Sequence, residues 1–107
     1  AEQGIAAEVI DLRTLKPLDE ATVLASVRKT GRLVVVHEAG PLCSVGSEIA
    51  ALVAEKAFSA LKAPVRRITS PDVPTPSSYV LEQAFLPQVS AVVGAVKDLL
   101  GATVAAL

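Results

Sequence analysis

Apolar positions along this chain alternate between short unbroken runs and helical stripes, and glycine or proline marks the joins. Residues 1–4 read as the last turn of a helix, with Gly4 as its stop. Val9, Ile10 and Leu12 among alanines predict a strand over residues 7–13, followed by a loop to Pro17. Asp19 stands where a helix N-cap belongs, and Leu18 is placed to staple against Val23. The helix then runs over residues 20–29 with Val23, Leu24 and Val27 inward, and Gly31 ends it. Leu33-Val-Val-Val36 has no polar alternation, as expected of a strand covered on both faces. Gly40 and Pro41 make residues 39–43 a loop.

The second half repeats the scheme. Ser44 reads as an N-cap with Glu48 in the first turn, opening a helix over residues 45–61. Its inward stripe is Ile49, Leu52, Val53, Ala57 and Leu61, and Ala63-Pro64 closes it. Residues 65–69 predict a third strand, and three prolines make residues 70–78 an extended loop. A short helical turn over residues 81–85 precedes a last helix that admits Pro87 in its first turn. Val89, Val92, Val93, Val96, Leu99 and Leu100 recur there at helical spacing. Gly101 is the expected stop, leaving residues 1–101 as one domain and residues 102–107 as a flexible tail. Strands alternating with helices give a three-layer α/β/α domain with a mainly parallel sheet and right-handed crossovers.

Composition narrows the functional classes. Apolar residues are 51% of the chain and aromatics 3%, so the core is built of Val, Leu, Ile and Ala. The net charge is −1 with both signs scattered, which leaves no basic stripe for nucleic acid. No apolar run reaches the ~20 residues of a membrane span, and no signal peptide opens the chain. Cys43 is the only cysteine, so no internal disulfide forms, consistent with a cytoplasmic protein. We expect it to be an inert, partly buried thiol.

Ligands of open parallel sheets gather at the carboxyl ends of the strands. Those ends bring Arg13, Thr14 and Lys16, then His37 and Glu38, then residues 69–72 with Asp72. His37 and Glu38 are an acid–base pair in composition, but neighbours on a strand point to opposite faces and do not act on one group. A histidine after a buried strand is more often bonded to loop backbone. Glu38 needs a partner at the end of an apolar strand, and the start of the second helix and Arg13 are the candidates. Arg13, His37, Glu38 and Asp72 are therefore loop-organising or subunit-interface candidates rather than catalytic ones. Arg66 and Arg67 alternate across the sheet and read as solvated charges or an edge guard. Cys43-Ser-Val-Gly46 has neither the glycine spacing nor the lysine of a phosphate loop, and no cluster has metal-ligand spacing.

Four segments in order carry a resemblance: Asp11-Leu-Arg-Thr-Leu-Lys-Pro-Leu-Asp19, Gly31-Arg-Leu-Val-Val-Val-His-Glu38, Ser44-Val-Gly-Ser-Glu-Ile-Ala50 and Asp72-Val-Pro-Thr-Pro76. Together they resemble the C-terminal domain of the transketolase superfamily. The nearest likeness is the beta subunit of the decarboxylating component of 2-oxo acid dehydrogenase complexes. The resemblance spans about residues 4–100. The wording around Val36 to Ala39 is similar to branched-chain or acetoin-type enzymes, but Pro41-Leu-Cys-Ser44 replaces their glycine-rich run, leaving the 2-oxo acid open.

The resemblance implies a parent enzyme that uses thiamine diphosphate and magnesium, held between two other domains, with its catalytic histidine outside this chain. It implies no cofactor bound by this segment alone. It implies partners: the alpha subunit and a lipoyl acyltransferase core. It also implies a five-stranded sheet with two strands upstream of Ala1, one of them between residues 7–13 and 33–38. The segment is then expected to lack a middle strand, and two copies to self-associate through the exposed edge. Rival readings are the matching domain of a transketolase or deoxyxylulose phosphate synthase, and a free-standing flavodoxin-like binding module.

Overall fold

Local capping chemistry sets the helix boundaries. In the computed structural model, which describes residues 1–101, Asp19 accepts a hydrogen bond from the Thr22 amide at 3.1 Å and another from its hydroxyl at 2.6 Å. Those bonds favour the ionised carboxylate and lower the Asp19 pKa from its ordinary 3.8. They open α1 (Glu20–Thr30), which buries Val23, Leu24 and Val27. Gly31 closes it in the left-handed conformation (φ +73°), its amide bonded to the Val27 carbonyl. The positive φ is what demands glycine here; a side chain would also meet the Lys62 methylenes at 2.8 Å, but that exposed chain can swing aside.

Ser44 caps α2 (Val45–Lys56) by accepting from the Ser47 amide at 3.4 Å. This helix is shorter than its apolar stripe predicts. Ala57 leaves helical geometry (φ −143°), and the chain continues as a 3₁₀ turn, Phe58–Ala60, with Phe58 exposed. Lys56 forms an ion pair with Glu20 at 2.7 Å, which raises the Lys56 pKa. Tyr79–Phe85 forms α3 and Val89–Gly101 forms α4. The stretch from Tyr79 to Gly101 is 23 residues long, but it breaks between α3 and α4, and Ala95 and Leu99 of α4 are buried.

Strands β1 (Val34–Val36) and β2 (Arg66–Ile68) pair in parallel, with Val35 opposite Arg67. Beyond them the pairing continues into the loops, where the His37 amide donates to the Ile68 carbonyl and the Ser70 amide to the Ala39 carbonyl. Alternation along β1 sends Leu33 and Val35 to the α1–α2 side, where Val23, Leu24, Val27, Ile49, Leu52 and Val53 form the core. Helix α4 packs against both strands and supplies the third layer. Arg32 holds its end by donating from Nε to the Leu99 carbonyl at 2.9 Å.

Two expectations change here. Residues 7–13 form no paired strand, and a cleft lies between residues 5–12 and β1. On α4 only Ala95 and Leu99 are buried; Val89 is 79% exposed and Leu100 50%, because two paired strands are too narrow to cover the whole stripe. The expected tail, residues 102–107, lies outside the described residues.

Candidate functional site at the strand ends

The groups at the carboxyl ends of β1 and β2 converge on one loop, residues 38–44. His37, half-buried after β1, accepts the Ala39 amide at Nδ1 (3.2 Å). An acceptor at Nδ1 leaves Nε2 as the protonated nitrogen of the neutral ring, and it faces the Ser44 hydroxyl at 3.4 Å. Ser44 in turn touches the Ser47 hydroxyl at 3.3 Å. The ring lies against Gly46 so closely that a methyl there would stand 2.6 Å from His37 Cδ2. Helix α2 can therefore begin at this point only because its second residue has no side chain.

Arg67 closes the arrangement from β2. One guanidinium nitrogen donates both to the Pro41 carbonyl and to the Ser47 hydroxyl, each at 2.7 Å. The Ser47 hydroxyl itself donates to the Pro41 carbonyl at 3.1 Å. Arg67, exposed like Arg66, is thus tied to the loop as well as solvated, which the sequence reading did not foresee. Ser70, 1% exposed, donates from its hydroxyl to the Glu38 carbonyl at 2.8 Å. Sequence reading gave Ser70 and Gly46 no packing role and read Arg67 as a solvated charge or edge guard. A glycine in the first turn of an otherwise apolar helix was the available signal of close approach.

The other expected residues do not join this cluster. Glu38 is exposed, and among the described residues its carboxylate has no partner, so the burial argument for it does not hold. Arg13 does not reach it. It pairs with Asp11 at 3.0 Å on an exposed turn, where Arg13 adopts φ +60° and its amide donates to the Asp11 carboxylate at 3.3 Å. Asp72 is exposed beside Gly40, where an added Cβ would stand 3.8 Å from its carboxylate. Cys43 is exposed, not partly buried, and sits at φ +47°.

Chemically, this cluster spends its donors and acceptors on its own loop. Among the described residues no buried side-chain nitrogen or oxygen lacks a partner. No three His, Cys, Asp or Glu side chains gather as a metal site there. Thiamine diphosphate with its divalent cation does not fit these residues: the exposed carboxylates Glu38 and Asp72 form no ligand set, and the cleft beside β1 is lined mainly by aliphatic side chains.

Comparison with known proteins adds a second line. The family model described as transketolase, C-terminal domain, matches residues 1–92. The acetoin:2,6-dichlorophenolindophenol oxidoreductase subunit beta of Bacillus subtilis is 50% identical over 101 residues, covering 94% of this chain and 30% of that protein. The pyruvate dehydrogenase E1 component subunit beta of Rhizobium meliloti is 54% identical over 95 residues, covering 89% and 21%. Among solved structures, a split gene transketolase described as an inactive beta4 tetramer superposes with a TM-score of 0.76 at 29% identity, covering 95% of this chain and 32% of that one. The chain thus spans between a fifth and a third of the length of these relatives.

Proposed function

Since this chain belongs to the transketolase C-terminal domain family, we propose that residues 1–101 are the C-terminal assembly domain of a 2-oxo acid dehydrogenase beta subunit. The parent reaction is thiamine-dependent oxidative decarboxylation of a 2-oxo acid, with transfer of the acyl group to a lipoyl group. The observation that carries this reading is the self-satisfied strand-end cluster. His37, Ser44, Ser47 and Arg67 hold the loop and the start of α2 by bonding one another, the Ala39 amide and the Pro41 carbonyl. Thiamine diphosphate and magnesium belong to parts of the parent outside these residues. The partners are the alpha subunit and the lipoyl acyltransferase core. Arg13, Glu38 and Asp72, all exposed, are its interface candidates.

A transketolase parent is the second reading, favoured by the solved neighbour. The dehydrogenase-type relatives at 50% and 54% identity, against 29% for that neighbour, weigh for the first. The family match sets aside a flavodoxin-like module. The proposed compartment is the cytoplasm; a plant relative is named as mitochondrial.

Calorimetric titration of the 107-residue chain with thiamine diphosphate and magnesium tests the division of labour. The expected result is no saturable heat. A micromolar dissociation constant would place cofactor chemistry within these residues and overturn the reading.

A further inference from the structure

His37 is the only histidine of the chain, and histidine is the side chain whose ordinary change of charge falls between about pH 5 and 8. Its place in the fold gives that change a structural consequence. Loop 38–44 is held at three points. The Ala39 amide donates to His37 Nδ1 at 3.2 Å, and the Ala39 carbonyl accepts the Ser70 amide at 3.1 Å. The Pro41 carbonyl accepts from Arg67 at 2.7 Å and from the Ser47 hydroxyl at 3.1 Å. The second and third points use backbone, hydroxyl and guanidinium groups, which keep their protons throughout that pH range. The first needs a lone pair on Nδ1, and a protonated ring has none.

We propose that His37 is a pH-sensitive latch: the neutral ring holds loop 38–44 closed at Ala39, and the protonated ring releases that end of the loop. A proton on Nδ1 sets one N–H against another across the 3.2 Å contact, so the two groups part. The ring has little room to move instead, because Gly46 of α2 lies so close that a Cβ there would run into Nε2. A ring flipped about its Cβ–Cγ bond would present carbon to the Ala39 amide and lose the same bond. The displacement therefore passes to the loop.

The surroundings give a charged ring nothing to stay for. From α2 it meets the Ser44 hydroxyl at 3.4 Å and the backbone of Gly46, at a helix start that carries partial positive charge. From β2, Arg67 reaches the same cluster through the Ser47 hydroxyl, which touches Ser44. Glu48 in the first turn of α2, Glu38 and Cys43 on the loop, and Asp72 beside Gly40 are all exposed. Among the described residues no charged side chain of any element bonds the ring. A closed loop that excludes the proton is favoured as pH rises, so opening is favoured as pH falls. Glu38, Leu42 and Cys43 ride on this loop, and its release rearranges the exposed surface at the strand ends while Ser70 and Arg67 keep it hinged.

Amide hydrogen exchange of the 107-residue chain, resolved by NMR at about pH 7.5 and about pH 5 and corrected for intrinsic rates, tests the latch. Protection of the Ala39 amide should fall threefold or more at the lower pH, while amides of α1 change less than twofold. His37→Asn offers an acceptor oxygen near the place of Nδ1 that does not titrate, and should hold the Ala39 amide equally at both pH values. Undiminished protection of Ala39 at the lower pH, or an equal fall in His37→Asn, would overturn the proposal. Should that variant unfold, the ring nitrogen resonances of the unmodified chain decide. They are expected to show Nδ1 without a proton at the higher pH and to titrate together with the loss of Ala39 protection. A proton on Nδ1 at the higher pH, or protection that does not follow the ring's titration, would equally overturn it.

Discussion

Replacing Gly46 by alanine should destabilise this domain when His37 is present and stabilise it when His37 is absent. The added methyl would run into His37 Nε2, its nearest neighbour, and stand 2.6 Å from Cδ2, where carbon atoms rest at ~3.5–4.0 Å, so the ring must retreat by more than ~1 Å. Overpacking of this kind costs about 1–3 kcal/mol. Retreat also weakens the bond from the Ala39 amide to Nδ1, worth about 0.5–1.5 kcal/mol. Against these stands the better helix propensity of alanine, at most about 1 kcal/mol. The net loss is about 1–2 kcal/mol, or roughly 5–15 °C in Tm for a domain of this size. His37→Ala removes the obstacle, so on that background only the propensity gain remains and Gly46→Ala raises stability by up to about 1 kcal/mol. Urea unfolding of the four proteins, followed by circular dichroism because the chain has no tryptophan, gives the coupling energy directly. A coupling of about 2 kcal/mol with this reversal of sign is expected. Stabilisation by Gly46→Ala in the presence of His37 would show that the ring swings aside freely and pins nothing.

Two further substitutions probe the same scaffold. Ser70→Ala removes the buried hydroxyl that donates to the Glu38 carbonyl and should cost about 0.5–1.5 kcal/mol in urea unfolding; a cost near zero would mean another donor takes its place. Asp19→Ala removes the α1 cap and should lower Tm by roughly 4–8 °C at neutral pH. Because folding lowers the Asp19 pKa, its contribution is present above 3.8 and fades as pH falls through the folded value. The gap in Tm between the two proteins should therefore shrink on acidification below 3.8, and a gap that widens would reverse the sign of the argument.

What the sequence made legible is what local chemistry decides. The caps at Asp19 and Ser44 and the stop at Gly31 follow from side chains bonding backbone within three or four residues, and all three stand where their order along the chain puts them. The stripe of α1 is buried as its spacing requires. Residues 7–13 were not legible as an unpaired segment, because pairing depends on what lies alongside, and apolar extended sequence looks the same in either case. The loop cluster was only half legible. His37 could be read as a backbone-bonding histidine, but Arg67 reaches Ser47 and Pro41 across 20 and 26 residues, and no spacing rule finds that. Glu38 was misjudged because the strand before it, expected to be covered on both faces, is only half-buried and ends on an exposed Val36, so Glu38 turns outward into solvent.

The account's central claim is that these residues assemble an enzyme without performing its chemistry. The most direct measurement exchanges the domain. In the pyruvate dehydrogenase E1 component subunit beta of Rhizobium meliloti, 54% identical over 95 residues, the matching segment is replaced by this chain carrying His37→Ala, beside the same chimera with His37 retained. The account predicts that both chimeras purify with the alpha subunit and decarboxylate pyruvate at rates within about tenfold of each other once folded protein is compared. A His37→Ala chimera that assembles and melts normally, yet loses turnover by several orders of magnitude, would contradict it and move His37 into the active site.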